Sequence, residues 1–183
     1  MDQRRAVFLD LNGTLVTPVL VEQLTDLRLI DGVQEGVGRL CRAGFVRPVV
    51  TVQFRIEKGL FSEAEFHTWF EALARSMVTC GTVLTGPYVC PHRFATLCMC
   101  AKPQTLLYER AAADHGLSLS GSFAVGDTAA DVEAAKRFGG RGCLVLTGYS
   151  ARGEEASRAK RFASYTGRTF GEVVDWILKQ EAA

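Results

Sequence analysis

The chain has 183 residues, of which 48% are hydrophobic and 22% are charged, and its formal net charge is +1. That length and balance predict one domain, residues 1–183, with a sizeable buried core. Lys and Arg are scattered along the chain, so neither a nucleic-acid nor a membrane partner is indicated. No run approaches the roughly 18 apolar residues that span a bilayer, and Asp10 interrupts the first apolar run too early for a signal peptide. We therefore expect a cytoplasmic protein, and we take a monomer as the expected oligomeric state.

Apolar, strand-like runs alternate with helical patterns along the chain. This alternation predicts an α/β fold in which helices cover a central, mainly parallel sheet. The predicted strands are residues 6–9, 46–52, 82–89, 123–125 and 143–147.

The predicted helices begin with residues 31–41, ahead of Gly44. The next helix starts at Ser62, because Ser62 and Glu65 match a capping box and Phe61 can pack on Phe66 as a hydrophobic staple. Its apolar stripe consists of Phe66, Trp69, Phe70, Leu73 and Met77.

Three further helices are predicted towards the C-terminus. Pro103 suits the first turn of one helix, and a second starts near Thr128 and stops at Gly139. A third starts at a second capping box formed by Thr169 and Glu172. Its apolar stripe is predicted to close the core and consists of Phe170, Val173, Val174 and Ile177.

Polar residues follow the predicted strands at the edge where open α/β sheets bind ligands. Asp10 ends the first strand and Thr51 the second, Lys102 precedes a predicted helix, and Asp127 and Asp131 follow the strand at 123–125. A strand-end carboxylate can attack phosphorus, and carboxylates also suit Mg²⁺. Each residue alone has a plain structural alternative: a turn-capping aspartate, a strand threonine, a solvated lysine or a helix-capping acid.

Three cysteines and one histidine lie close together between residues 88 and 101. Cys90, His92, Cys98 and Cys100 have the spacing C-x-H-x5-C-x-C. Thiolates and an imidazole at this spacing, in a reducing compartment, are typical of a closed tetrahedral Zn²⁺ site. We therefore predict a structural Zn²⁺ in a loop insert at about 88–101 that helps to position Lys102.

Together these motifs resemble the haloacid dehalogenase superfamily of phosphatases. That family has D-x-D-G-T, then a strand-end Thr or Ser, then a Lys, then G-D-x-x-x-D. The loop with the four metal ligands resembles the zinc-containing heptose-bisphosphate and histidinol-phosphate phosphatase branch. The resemblance covers residues 7–148 and implies a Rossmann-like three-layer sandwich without a large cap domain.

The resemblance also implies roles for individual residues, acting on a small phosphorylated metabolite such as a sugar phosphate or bisphosphate. Asp10 attacks the phosphoryl group, and Asp10, the backbone carbonyl of Asn12 and Asp127 hold Mg²⁺. Thr51 and Lys102 bind the oxygens of the transferring phosphoryl group, and Asp131 orients either Lys102 or a metal-bound water. The further substrate-binding candidates are Gln53 and Arg55.

Four positions depart from the pattern of the resembled family. Asn12 stands where the family has an aspartate that transfers protons to the leaving group and from water, and an amide does not cycle a proton at neutral pH. Val52, Ala101 and Thr128 replace an Asn, an Arg and a Lys that read the substrate. Heptose bisphosphate is therefore in question as the substrate.

Three interpretations of Asn12 stay open at the level of sequence. The protein is a phosphatase with slow turnover, or a non-catalytic phosphate-binding or regulatory domain, or an active enzyme in which Asn12 is an engineered substitution.

Overall fold

The computed structural model describes residues 4–78, 83–93, 97–151 and 153–180. Six parallel strands form its main sheet in the order β5-β4-β1-β6-β7-β8, and β2 and β3 form a small antiparallel hairpin. The strands are β1 Arg4–Leu9, β2 Val16–Thr17, β3 Arg28–Leu29, β4 Pro48–Val52, β5 Thr85–Cys90, β6 Leu117–Gly126, β7 Arg141–Val145 and β8 Tyr165–Gly167. The α-helices are α1 Val33–Arg42, α2 Glu63–Met77, α3 Leu106–His115, α4 Ala129–Arg137, α5 Gly153–Lys160 and α6 Phe170–Lys179.

Alternate residues of the central strands enter different layers of the core. Val7 and Leu9 of β1 pack with the apolar faces of α1, α2 and α6, whereas Ala6 and Phe8 pack with α3 and α4 on the opposite face. A smaller cluster joins α4, β7 and α5. The predicted arrangement, a mainly parallel sheet between two layers of helices, is therefore confirmed.

The strand order reverses beside β1. The chain passes from β1 to β4 and β5 on one side and then crosses to β6, β7 and β8 on the other. A parallel sheet opens a crevice where its strand order reverses, at the carboxyl ends of the strands. The ends of β4, β1 and β6 border that crevice.

Most of the predicted elements are present with shifted ends. The strand predicted at 46–52 begins at Pro48, and Val46 makes only an isolated bridge to Ala6. The strand predicted at 82–89 runs over Thr85–Cys90, and Thr82 lies outside the described residues. The strand predicted at 123–125 is ten residues long, because β6 extends back to Leu117 along β1.

The local signals for helix starts are mostly confirmed. Ser62 Oγ accepts a hydrogen bond from Glu65 N at 3.1 Å, and Glu65 Oε2 accepts one from Ser62 N at 2.7 Å. The Phe61 and Phe66 rings stack with centroids 6.2 Å apart. Thr128 likewise caps α4 together with Asp131.

Two predictions at helix starts differ from the structure, the first wholly and the second in part. Pro103 lies in a turn before α3, which begins only at Leu106 after Thr105. Only one of the two hydrogen bonds of the second capping box forms. Thr169 Oγ1 accepts a hydrogen bond from Glu172 N at 3.2 Å. The Glu172 carboxylate, however, accepts from Arg168 N at 2.7 Å and not from Thr169 N.

The predicted stripe of α6, Phe170, Val173, Val174 and Ile177, is buried against α1 and the sheet, as expected. Among the described residues, no helix is both long and apolar enough to cross a membrane.

Candidate active site

The sheet brings three of the predicted strand-end residues to one place. Asp10 directly follows β1, and its backbone N–H donates to Val125 O of β6 at 2.9 Å. Leu9 lies in register with Val49 of β4 on one side and Val125 on the other. Asp10, Thr51 and Asp127 therefore border one cleft.

Lys102 links this cluster from a distant part of the sequence. Its Nζ lies 2.5 Å from Asp10 Oδ1 and 2.5 Å from Asp131 Oδ1, and it donates to Val50 O at 3.1 Å. The side chain is only 5% exposed. Burial acts to lower the pKa of Lys102, but the charges of Asp10 and Asp131 raise it well above its ordinary value, so the ammonium stays protonated. A fixed cation thus lies beside the Asp10 carboxylate.

Asp131 has both carboxylate oxygens engaged within the protein. Oδ1 binds Lys102, and Oδ2 accepts from Thr128 N at 3.1 Å and from Thr128 Oγ1 at 2.5 Å. A Cβ on Gly126 would come within 2.1 Å of Asp131 Cγ, so only glycine leaves room for this arrangement. Asp131 is therefore suited to position Lys102 rather than to bind a ligand.

Asp10 and Asp127 form a crowded pair of acids. Ligand oxygens of Asp10, Asp127 and Asp131 lie within 4.8 Å of one another. Burial is the main cause that raises the pKa of Asp10 to about 6, against the lowering effect of Lys102. Burial, then the charges of Asp10 and Asp131, raise the pKa of Asp127 to about 8. A divalent cation would supply the positive charge that these carboxylates lack.

The surroundings of Asp127 hold its carboxylate in one place. Asp127 Oδ2 accepts from Tyr149 N at 2.6 Å. A Cβ on Gly13 would lie 2.4 Å, and one on Gly148 1.9 Å, from that same oxygen. Hard carboxylate oxygens, held rigidly beside Asp10, fit a small cation such as Mg²⁺.

Asn12 is hydrogen-bonded into the cleft wall. Its Oδ1 accepts from Gln53 Nε2 at 2.7 Å, and the same nitrogen donates to Thr51 Oγ1 at 2.9 Å. Gln53 is 2% exposed and does not line the cleft. Gln53, predicted to bind substrate, therefore lies behind the wall and fixes the side chains of Asn12 and Thr51.

The cleft outside the acidic cluster is mainly apolar, and Arg55 and Arg158 are its cationic lining residues there. Arg55 lines it and is 8% exposed, with its guanidinium 4.7 Å from the Phe54 ring centroid. Burial lowers the pKa of Arg55, while the nearby Tyr149 hydroxyl opposes that shift. The further residues that line this outer part are Val19, Leu20, Val52, Thr128, Ala130, Glu155 and Arg158.

The four predicted zinc ligands come together beside Lys102. Cys90 Sγ lies 3.7 Å from both His92 Nδ1 and Cys98 Sγ, and Cys100 Sγ lies 3.1 Å from Cys90 Sγ and 3.2 Å from His92 Nδ1. Ligands of tetrahedral Zn²⁺, at bond lengths of about 2.0–2.3 Å, lie about 3.5–3.8 Å apart. The cluster therefore has the donor set and nearly the spacing of such a site.

Sequence reasoning missed three contributors to the cleft. Thr14 Oγ1 donates a hydrogen bond to Asp10 Oδ2 at 3.2 Å. The position of Thr14 at the end of the motif formed by residues 10–14 could have indicated this contact. Tyr149 and Gly148 meet Asp127 through backbone atoms, and no residue type at those positions indicates such contacts.

Comparisons with known proteins indicate the family of this chain. Residues 99–169 match the HAD-hydrolase-like family. The D-glycero-beta-D-manno-heptose-1,7-bisphosphate 7-phosphatase of Escherichia coli O6:H1 is 31% identical over 185 residues, which cover 96% of this chain and 95% of that protein. The D-glycero-D-manno-heptose-1,7-bisphosphate 7-phosphatase of Thermosynechococcus vestitus is 33% identical over 187 residues, which cover 95% of each.

The fold is also found in a solved structure. The D,D-heptose 1,7-bisphosphate phosphatase from B. bronchiseptica, complexed with magnesium and phosphate, superposes with a TM-score of 0.81 at 22% identity, over 96% of this chain and 99% of that one. On the strength of the nearly full-length relatives above 30% identity, this chain belongs to the haloacid dehalogenase-like family of D-glycero-D-manno-heptose-1,7-bisphosphate 7-phosphatases.

Proposed function

We propose that this protein is a Mg²⁺-dependent phosphatase that acts on a small phosphorylated sugar through an aspartyl phosphate on Asp10. The observation that carries the proposal is the Lys102 ammonium, held 2.5 Å from both Asp10 and Asp131 at the end of β1. It gives a buried carboxylate a fixed cation at the place where a phosphate would bind. The relatives, named as heptose-bisphosphate phosphatases, support this reaction class.

Asp10, the backbone carbonyl of Asn12 and Asp127 are the residues that would hold Mg²⁺. The ion would neutralise phosphate charge and orient the phosphoryl group towards Asp10. The protein contributes the rigid placement of Asp127 between Gly13 and Gly148.

Side chains of the cleft carry out the attack on phosphorus and bind the transferring group. An Asp10 oxygen attacks phosphorus, while Lys102 and the Thr51 hydroxyl bind the oxygens of the transferring group. Asp131 keeps Lys102 in position, and Gln53 keeps Thr51 in position. Phosphoryl transfer depends mainly on such positioning and charge stabilisation.

Asn12 is expected to limit turnover. Its amide Oδ1 accepts from Gln53, and an amide neither protonates a leaving alkoxide nor takes a proton from water. Loss of a general acid-base group typically costs about 10²–10⁴-fold in rate. We infer that the aspartyl phosphate forms and is then hydrolysed slowly.

The second candidate function is a phosphate-binding or regulatory domain without turnover. The same replacement, Asn12, favours it, because the binding groups persist while the proton-transfer group is absent.

Two variants separate the candidates. Wild type, Asn12→Asp and Asp10→Asn are assayed with Mg²⁺ against sugar mono- and bisphosphates, with rapid mixing to detect a burst. We expect a stoichiometric burst in wild type, about 10²–10⁴-fold faster turnover in Asn12→Asp, and no burst in Asp10→Asn. If Asn12→Asp gains nothing and Asp10→Asn loses nothing, the phosphatase proposal is wrong. Binding of phosphate without any burst would support the regulatory domain instead.

We also propose that Cys90, His92, Cys98 and Cys100 bind a structural Zn²⁺. Four protein ligands leave no position open for catalysis. Because Ala101 connects this cluster directly to Lys102, the zinc site would restrain the segment that carries the lysine. Metal analysis of the purified protein should give about one zinc per chain.

A further inference from the structure

The cleft is larger than its acidic cluster, and most of the remaining wall is apolar. Its volume is about 510 Å³, within the range of about 300–1,000 Å³ that is typical of sites for whole small molecules. The apolar residues that line it are Val19, Leu20, Val52, Phe54 and Ala130. The cleft therefore has room for the organic group that carries a phosphate, and it offers that group mainly carbon atoms.

Several of these apolar side chains are not needed to build the core. Within the part of the chain that the structure describes, Val19, Leu20 and Phe54 belong to none of the hydrophobic clusters of the core. Leu20 is 52% exposed, and Tyr149, which also lines the cleft, is 48% exposed. Covering such side chains with an apolar ligand removes their surface from water and is favourable.

The apolar wall starts directly beside the proposed phosphoryl site. Val52 follows Thr51 in the chain, and both residues line the cleft. The backbone N–H of Tyr149 donates to Asp127 Oδ2 at 2.6 Å, which ties this half-exposed aromatic residue to the acidic cluster. A phosphate bound at Asp10 would therefore have its organic group next to apolar side chains.

Two of the polar side chains in this outer part bind other groups of the protein. Thr128 Oγ1 donates to Asp131 Oδ2 at 2.5 Å, and Glu155 Oε1 accepts from Ala129 N at 2.7 Å. Arg158 is exposed, so water weakens its attraction for an anion. Sugar hydroxyls that leave water for this wall would lose hydrogen bonds, whereas an apolar group would gain by leaving water.

We propose that the preferred substrate is a phosphorylated sugar that carries an apolar group, aromatic or aliphatic, and that Leu20 and Tyr149 cover this group. The inference rests on the proposed phosphatase function and narrows its substrate class. The apolar group takes no part in phosphoryl transfer, so its contacts are the same in the bound substrate and in the transition state. Such contacts lower KM and leave kcat nearly unchanged.

The test varies one substituent of the sugar and keeps the leaving group constant. The methyl, phenyl and hexyl glucosides, each phosphorylated at position 6, all release phosphate from the same primary alcohol. Glucose 1,6-bisphosphate has a second phosphate where these compounds have the methyl, phenyl or hexyl group. We expect kcat/KM for the phenyl or the hexyl compound to exceed that for the methyl compound by at least about tenfold, with the difference in KM. The ratio between phenyl and hexyl distinguishes an aromatic group from an aliphatic one.

Leu20→Ser and Tyr149→Ser test the assigned residues. Each variant should reduce the preference over the methyl compound by about three- to tenfold, and serine at position 149 keeps the backbone N–H that binds Asp127. The matched control is Leu60→Ser. Leu60 is 48% exposed, lies outside the helices and strands as Leu20 does, and is not among the residues that line the cleft. This variant should keep the wild-type preference, and circular dichroism should show that all three variants fold.

The remaining outcomes overturn the inference in distinguishable ways. Equal kcat/KM for the methyl, phenyl and hexyl compounds would refute it and leave the phosphatase function standing. Faster turnover of the bisphosphate than of the phenyl and hexyl compounds would refute it as well, and would assign the lining residues Arg55 and Arg158 to a second phosphate. An equal loss of preference in Leu60→Ser and Leu20→Ser would show that the apolar wall does not select the substrate. No turnover of any of these phosphates by wild type would refute the proposed function, and the inference with it.

Discussion

Gly148 lies against Asp127, so alanine at this position should displace the carboxylate. A Cβ would lie 1.9 Å from Asp127 Oδ2 and 2.8 Å from Gly13 Cα, whereas ordinary contact starts at 3.4 Å. With the Gly13 backbone blocking the other side, Asp127 must move by about 1.5 Å, the difference between 3.4 and 1.9 Å. The hydrogen bond from Tyr149 N to Asp127 would then be lost.

Misplacement of a reacting group by about 1 Å can cost about 10²-fold in rate, and overpacking typically destabilises by about 1–3 kcal/mol. We therefore expect Gly148→Ala to lower kcat/KM by at least about 10²-fold and to require more Mg²⁺ for half-maximal activity. Activity is measured across a Mg²⁺ titration, Mg²⁺ affinity by calorimetry, and the free energy of unfolding in guanidinium chloride. Wild-type Mg²⁺ affinity and activity in Gly148→Ala would refute the reasoning.

Gly171→Ala is the matched control for this variant. Its Cβ would meet nothing closer than Thr169 Oγ1 at 3.8 Å, and Gly171 lies within α6. Alanine is favoured over glycine in a helix by roughly 0.5–1 kcal/mol. We expect unchanged activity and slightly raised stability.

Three further predictions concern stability and zinc. Ser62→Ala should lower the free energy of unfolding by about 1 kcal/mol, because the N-cap hydrogen bonds of α2 are lost. Its control is Ser76→Ala, at an exposed position of the same helix, which should cost less. Equal losses in the two variants would contradict the capping argument. Ile177→Ala should cost about 2–5 kcal/mol, since its side chain is fully buried, and a loss below 1 kcal/mol in denaturant unfolding would show that the α6 contact contributes little. Cys98→Ser should reduce zinc from about one per chain towards zero in metal analysis, and undiminished zinc would exclude Cys98 as a ligand.

Local signals in the sequence determined much of the fold. The capping box at Ser62 and the helix start at Thr128 could be predicted because the hydrogen bonds that form them join residues three apart. The stripe of α6 could be predicted because helical periodicity requires one buried face. The prediction at Thr169 was only half right, because the Glu172 carboxylate had a second backbone donor, Arg168 N, within reach.

The proximity of Asp10 and Asp127 could also be predicted, from the sequence and from the general geometry of parallel sheets. Asp10 and Asp127 each end an apolar run, and the carboxyl ends of neighbouring parallel strands lie at one edge of a sheet. The grouping of the four candidate zinc ligands could be predicted from their close spacing in the chain, and the structure brings all four together.

The long-range contacts of the cleft were decided by the tertiary structure. Lys102 was expected at a helix N-terminus, yet α3 starts four residues later, and its ammonium instead meets Asp10, 92 residues away in the chain. The burial of Arg55 and the contact of Gly148 with Asp127 likewise depend on segments that follow β4 and β7. Periodicity and capping act over about four residues. The strand order and loop packing that bring these groups together come only from the folded sheet.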